Sequence, residues 1–173
     1  MDQLCAIIDA QGFTKGNKFY PRVIAVAFPF SEKILCWDVE TGLDFKSLNS
    51  KDRITNNYIR HYTGLDIKAP DDAIAKDKVN VFLAMLYEQC KYGDQIYFGI
   101  KNPQFGNLLN YLHIPTLEIE CPSTSALGRY YDIKRCDRHT ENPEGACSVR
   151  KVELIKEYLD DKIMCKHLIN SKY

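Results

Sequence analysis

Three runs of strand-forming residues follow one another near the start of the chain, and this opening constrains the fold more than any other part of the sequence. The runs cover residues 4–9, 19–28 and 33–38, and turn-forming residues at 11–12 and 29–32 lie between them. Consecutive strands with short connections pair in antiparallel fashion. The N-terminal region is therefore predicted to form a three-stranded antiparallel meander.

Two helices are predicted after the meander. Ile54, Tyr58 and Tyr62 recur at every fourth residue ahead of Gly64, which predicts a short helix with this stripe as its apolar face. A longer helix is predicted over 70–93, because a proline and two acidic residues open the segment and a glycine closes it. Its predicted apolar stripe consists of Ile74, Val81, Phe82, Met85 and Leu86.

The remaining patterns complete an α/β order. They predict a strand over 95–100, a helix over 105–112, a strand over 116–120 and a closing helix from 146 onward. Three antiparallel strands followed by alternating helices and strands are the order of RNase H-like domains, in which helices flank a mixed β-sheet. The 173 residues are 45% apolar and include no long linker, so we expect a single domain over 1–173.

The sequence predicts no association with a membrane. No apolar run approaches the roughly 18 residues that a spanning helix requires. The first residues also lack the basic head and long apolar body of a secretion signal.

Cys136, His139 and Cys147 form the sharpest local motif. Two residues separate the first pair and seven separate His139 from Cys147. Thiolate and imidazole are the usual ligands of tetrahedral zinc, and the start of a helix favours a thiolate at Cys147. This spacing predicts a zinc-binding segment over 136–147. The alternative is two half-buried cysteines and a surface histidine.

A tetrahedral zinc site needs a fourth ligand, which the sequence does not single out. Cys165 would lie roughly 27 Å from Cys147 along a straight helix and is excluded on that basis. The candidates that stay open are Cys5, Cys36, Cys121, Glu120 and a water molecule.

Asp9 ends the first predicted strand, where RNase H-like nucleases carry a metal-binding acid. Two Mg²⁺ ions need several carboxylates to hold them. Position 11 is glutamine, however, and residues 101–106 contain no acid. We therefore expect no two-metal centre, and we favour a structural role in which turn amides bind the Asp9 carboxylate.

Cations and tyrosines surround the predicted zinc segment. Lysine plus arginine equals aspartate plus glutamate at 23 each, so any contact with nucleic acid must be local. Six cations and four acids lie within 129–151. The predicted RNA contacts are Arg135, Arg138, Arg150 and Lys151 for phosphates, with Tyr130 and Tyr131 for stacking on bases. A solvated rim of mixed charge is the alternative.

These motifs together resemble the Maelstrom domain. The resemblance lies in an Asp-x-Gln-Gly-Phe ending of the first strand at 9–13, a Phe-x-Pro-x-x-Ile-Ala strand at 19–25, and the Cys-x-x-His…Cys motif before the last helix. That domain is similar to a four-acid (DEDDh) exonuclease that lost its acids and gained a zinc site of Glu, Cys, His and Cys. The glutamate would fall at Val23. The motifs also resemble those of uncharacterised invertebrate and viral proteins.

The resemblance implies a zinc-containing domain that binds single-stranded RNA, and in some members cleaves it, in small-RNA silencing. It further implies silencing-pathway proteins as partners and a cytoplasmic or perinuclear location. Cleavage would not use a two-metal carboxylate site, and the sequence identifies no catalytic residue. The alternative is a catalytically dead nuclease fold that serves as a protein-interaction scaffold.

Overall fold

A five-stranded mixed β-sheet forms the centre of the computed structural model, which describes residues 3–131 and 147–170, with side chains as far as Met164. The strands are β1 (Leu4–Lys15), β2 (Lys18–Ala27), β3 (Ile34–Asp38), β4 (Tyr97–Ile100) and β5 (Thr116–Glu118). Their order is β3-β2-β1-β4-β5. The first three strands pair antiparallel, whereas β1, β4 and β5 pair parallel. The predicted meander is confirmed.

Helices cover both faces of this sheet, as predicted for a mixed α/β fold. They are α1 (Ser50–Thr63), α2 (Val79–Cys90), α3 (Pro103–Tyr111), α4 (Thr124–Leu127) and α5 (Ser148–Asn170). On one face, α2 and α3 pack against side chains such as Ile8 and Ile24. On the other face, α4 and α5 cover Ile7 and Ala25, and the segment that follows α1 covers Phe13. No helix in the described ranges is both long and apolar enough to cross a bilayer.

The first strand is twice as long as predicted, because Gly12 forms a bulge rather than a turn. The register between β1 and β2 shifts at Gln11/Gly12 and the pairing then continues to Lys15. A Cβ atom at Gly12 would lie within 2.0 Å of the Tyr20 carbonyl oxygen, so only glycine fits there. Asp9 is therefore inside the strand, opposite Ala25, and not at its end.

Helix α1 has the opposite orientation to the one predicted from its apolar stripe. Ile54 and Tyr58 are 71% and 66% exposed, while the buried face carries Asp52 and Asn56. The reason is the end of the β1–β2 hairpin, whose backbone polar groups need partners. The Asn56 side chain accepts from the Thr14 amide and donates to the Thr14 carbonyl, at 2.8 and 2.7 Å. Asp52 accepts from the Gly16 amide.

Helix α2 begins nine residues later than predicted, at Val79 rather than Pro70. Residues 71–73 form a turn and bend, and Ile74 instead makes an isolated parallel bridge to Val39, next to the end of β3. The buried residues of α2 are Val79, Leu83 and Leu86. The predicted stripe residues Val81 and Met85 point to solvent.

The other predicted elements are present with small differences. The strand predicted over 95–100 begins at Tyr97, and that over 116–120 ends at Glu118. The helix predicted over 105–112 begins two residues earlier, since Asn102 caps it and Pro103 opens it. The closing helix begins at Ser148. The short α4 was not predicted.

Candidate functional site

A cavity of about 290 Å³ opens where β4 ends beside the middle of β1, and we call it the Asp9 cavity. Its lining side chains are Asp9, Lys101, Asn102, Pro103, Ser123, Thr124, Lys151 and Ile155. The next strand in sequence, β2, pairs with one edge of β1, whereas β4 pairs with the other edge of β1. Open α/β sheets bind ligands outside the carboxyl ends of parallel strands at such a reversal of strand order. The fold thus favours this cavity as the binding site.

Asp9 is 2% exposed and its Oδ2 atom has no hydrogen-bond partner among the described residues. The expectation that turn amides satisfy this carboxyl group is wrong, because β1 continues past Asp9 and no turn is there. Burial raises the pKa of Asp9 above its usual value, and the nearby Lys151 and Ser148 counteract part of that rise. The Lys151 ammonium lies 3.7 Å from Oδ2.

Further buried polar atoms without partners lie in β1 and on the first turn of α5. Both amide atoms of Gln11, the hydroxyl of Ser148 and Nε of Arg150 have no hydrogen-bond partner in the described part of the chain. Gln11 is 5% exposed and Ser148 is completely buried. Native proteins satisfy most buried polar atoms, so a group of unsatisfied ones indicates a place for water, an ion or a ligand.

The end of β4 contributes a lysine and an asparagine to the cavity. The Asn102 side chain accepts from the Gln104 and Phe105 amides and donates to the Ala10 carbonyl at 3.1 Å, which ties the start of α3 to β1. Lys101 Nζ donates to the Cys121 and Pro122 carbonyls and lies 3.1 Å from Cys121 Sγ. These acceptors are neutral, and Glu118 and Glu120 line an adjoining pocket together with Lys101.

The structure separates the predicted RNA-contacting residues. Lys151 lines the Asp9 cavity, and Arg150 is half-buried beside Gly128. Tyr130 is 83% exposed, whereas Tyr131 packs against the buried apolar residues of α5, which include Val152 and Ile155. The Tyr131 hydroxyl donates to Asp161 Oδ2 at 2.9 Å, and burial together with this acidic neighbour raises the pKa of Tyr131 to about 12. Arg135 and Arg138 lie outside the described residues.

Of the predicted zinc ligands, only Cys147 lies within the described residues; Cys136 and His139 do not. Cys147 is buried immediately before α5. The described residues contain no group of three or more His, Cys, Asp or Glu side chains that could hold a metal ion.

The structure also narrows the choice of a fourth zinc ligand. Cys5 packs on the α2 side of the sheet, away from the α5 side on which Cys147 lies. Helix α5 is continuous, which supports the exclusion of Cys165. Val23 is buried among apolar side chains and offers no ligand atom where the Maelstrom domain has glutamate. Among the other candidates, Cys121 has its sulfur against Lys101.

Sequence reasoning missed Lys101, Asn102, Ser123, Thr124 and Ser148 as site residues. The segment 101–106 was considered only as a source of acids, although Asn102-Pro103 after a strand is a helix-start signal. The strand predicted over 95–100 already ends where β4 ends, and residues just after a parallel strand are candidates for a site. No local pattern indicates that Ser123 lines this cavity or that Ser148 lies beside Asp9, because both depend on how α4 and α5 pack.

Comparison with known proteins adds no relative to this description. No protein-family model, curated protein or solved structure is significantly similar to the chain.

Proposed function

We propose that this chain is an RNase H-like domain that binds single-stranded RNA at the Asp9 cavity and has no two-metal nuclease centre. Three features support the RNase H-like assignment. These are the antiparallel meander, the two parallel strands added beside β1, and the long closing helix packed over β1 and β2. The candidate site also lies beside the first strand, at the position where nucleases of this fold carry their acids.

The observation that carries the proposal is the charge of the cavity. Among the described residues, Lys101 and Lys151 line it together with a single carboxylate, that of Asp9. Burial already disfavours the charged form of that carboxylate. Because the positive charges are in excess, the cavity favours an anion such as an RNA phosphate.

Single-stranded RNA fits the surroundings better than a duplex. Helix α4 begins at the cavity, and the exposed Tyr130 follows it three residues after its end. Exposed aromatic rings stack on unpaired bases, which a duplex keeps inside its own stack. Arg150 and Lys151 lie on the first turn of α5, next to this segment.

One carboxylate does not hold two divalent ions. In the described residues, position 11 is glutamine and residues 101–106 contain no acid. Any cleavage of RNA by this chain would therefore use other residues.

Zinc is part of the proposal through Cys136, His139 and Cys147. Cys147 is buried at the start of α5, where amide groups stabilise a thiolate, and this fits a zinc ligand. Bound to these side chains, zinc would act as a structural cross-link. The resemblance to the Maelstrom domain supports small-RNA silencing as the setting, with silencing proteins as partners and a cytoplasmic or perinuclear location.

Fluorescence anisotropy with labelled single-stranded RNA tests the binding proposal. We expect wild-type affinity to fall with salt by about 0.7 log units per log unit of salt for each phosphate neutralised. Lys101→Gln plus Lys151→Gln should weaken binding at least tenfold and flatten the salt dependence. Lys91→Gln is the matched control, since Lys91 lies just after α2 on another part of the surface, beside Glu88. Equal binding by the double variant and the control would contradict the proposal.

A protein-interaction scaffold is the second candidate, and the outward face of α1 favours it. Ile54, Tyr58 and Tyr62 are exposed on this face, and the rings of Tyr58 and Tyr62 stack on each other. Exposed apolar groups in a row are typical of protein contacts. This function predicts no measurable RNA binding near physiological salt and a protein partner that Ile54→Asp plus Tyr58→Asp releases.

A further inference from the structure

We propose that the Lys151 ammonium is the resident cation of the buried oxygen cluster beside β1, and that it takes the position that a divalent metal ion would otherwise occupy. We call the side chains of Asp9, Gln11 and Ser148 the oxygen cluster. The inference deepens the proposed function and rests on it, because the RNase H-like assignment is what makes a metal expected at this position.

The oxygen cluster has the composition of a site for a hard cation. It offers a carboxylate oxygen, an amide oxygen and a hydroxyl oxygen, and none of the three has a hydrogen-bond partner among the described residues. All three side chains are more than nine-tenths buried. Asp9 and Gln11 are two residues apart in β1, so their side chains leave the same face of the sheet. Mg²⁺, Mn²⁺ and Ca²⁺ prefer such oxygen ligands.

Lys151 supplies a positive charge to this cluster from within the chain. Its ammonium lies 3.7 Å from Asp9 Oδ2, and its side chain is 26% exposed where it lines the Asp9 cavity. Lys151 follows Ser148 by three residues, which puts both on one side of α5. Within the described residues, Lys151 is the cation with which Asp9 forms an ion pair.

A divalent ion does not fit the cluster while Lys151 is there. Mg²⁺ would bind Asp9 at about 2.0–2.1 Å and would then lie only a few ångströms from the ammonium. Two positive centres that close repel strongly beside a buried carboxylate, where little solvent screens them. The ammonium is also held covalently by α5, so dilution or chelation cannot remove it.

The proposal has a consequence for RNA binding. The charge that faces the ligand belongs to the protein, so binding at the Asp9 cavity should need no added metal. RNA affinity should accordingly be the same with and without added Mg²⁺.

Lys151→Met tests the proposal, because methionine keeps the length of the side chain and removes its charge. We expect Mn²⁺ to raise the melting temperature of this variant by several degrees and to leave wild type unchanged. The rise should disappear in the double variant Asp9→Asn plus Lys151→Met. Lys151→Arg is the matched control, since it keeps the positive charge and should gain no response to Mn²⁺. Lys151→Gln provides a second neutral variant if Lys151→Met does not fold.

Two results would overturn the inference. One is Mn²⁺ binding by wild type that Asp9→Asn abolishes, followed by electron paramagnetic resonance. The other is a folded neutral variant that gains no Mn²⁺ response. Both measurements are independent of RNA, so a failure of the proposed RNA binding would be seen separately in the anisotropy experiment.

Discussion

The ionisable side chain of Asp9 is almost completely buried. Burial raises its pKa above the ordinary value of 3.8, so the folded protein holds this proton more tightly than the unfolded chain does. A raised carboxyl pKa makes the free energy of unfolding fall as pH rises from that ordinary value through the folded-state value. The charged form of Asp9 therefore reduces stability at neutral pH, and Lys151 offsets only part of the cost.

Asp9→Asn should remove this dependence on pH. We expect the stability of the variant relative to wild type to increase as pH rises from about 4 to 7, because the variant has no carboxyl group to ionise. Urea denaturation at several pH values measures the difference. A difference that shrinks as pH rises would show that Asp9 is stabilised in its charged form.

Site residues could be predicted from the sequence only where the residue type alone indicates its chemical role. Asp9 and Lys151 were both identified from the sequence, but the pairing between them was not. They are 142 positions apart and meet only because α5 packs on the sheet beside β1. The unsatisfied amide of Gln11 has no sequence signal either, since an exposed glutamine would look the same.

At the scale of the elements, α1 combines hydrogen bonds to the hairpin with the apolar contact of Ile59. Its Asn56 side chain is fully buried and satisfies both the amide and the carbonyl of Thr14. This explains how a helix with its apolar stripe in solvent still packs on the hairpin.

Asn56→Ala should destabilise the protein by about 2–4 kcal/mol, because two buried backbone groups would lose their partner. Asn57→Ala is the matched control, since Asn57 is exposed on the same helix and should change stability by less than about 0.5 kcal/mol. The midpoints of urea unfolding compare the two variants. Equal midpoints would mean that another contact holds α1 in place.

The elements show why periodicity succeeded in some places and failed in others. The meander, α3 and α5 have apolar residues on the face that packs, so their patterns predicted them. In α1 the apolar residues are on the outer face, and a stripe cannot reveal which side of a helix meets the core. For α2, Pro70 and the two acids after it are a helix-start signal. The bridge between Ile74 and Val39 keeps that segment extended instead.

At the scale of the whole molecule, a zinc ion bound by Cys136, His139 and Cys147 would cross-link the chain ahead of α5. Purified protein should contain one equivalent of zinc, measured by elemental analysis. Cys147→Ala should lose the metal and lower stability by several kcal/mol, since structural zinc contributes roughly 10 kcal/mol in small sites. Cys90→Ala, at the end of α2, is the matched control and should keep the metal. Less than a tenth of an equivalent in wild type would refute the site.

The overall charge balance of the chain gave no indication of a positive cavity. Cations and acids are equal in number, but Lys101 and Lys151 come from distant segments and converge on one edge of the sheet. Only the tertiary arrangement creates that local excess, which is why composition could restrict nucleic-acid contact to a patch but could not locate it.

The position of β1 between a hairpin partner and a distant parallel partner has a kinetic consequence. Its pairing with β2 starts at the turn with Lys15 and Lys18 and extends to Ile7 and Ala27, whereas its pairing with β4 joins Leu4 to Tyr97. Hairpins close in microseconds, while contacts between distant residues must first overcome a large loss of chain entropy. The walls of the Asp9 cavity also come from residues 101, 123 and 151. During refolding the hairpin should therefore gain protection from hydrogen exchange early, and the cavity should be the last part of the molecule to form.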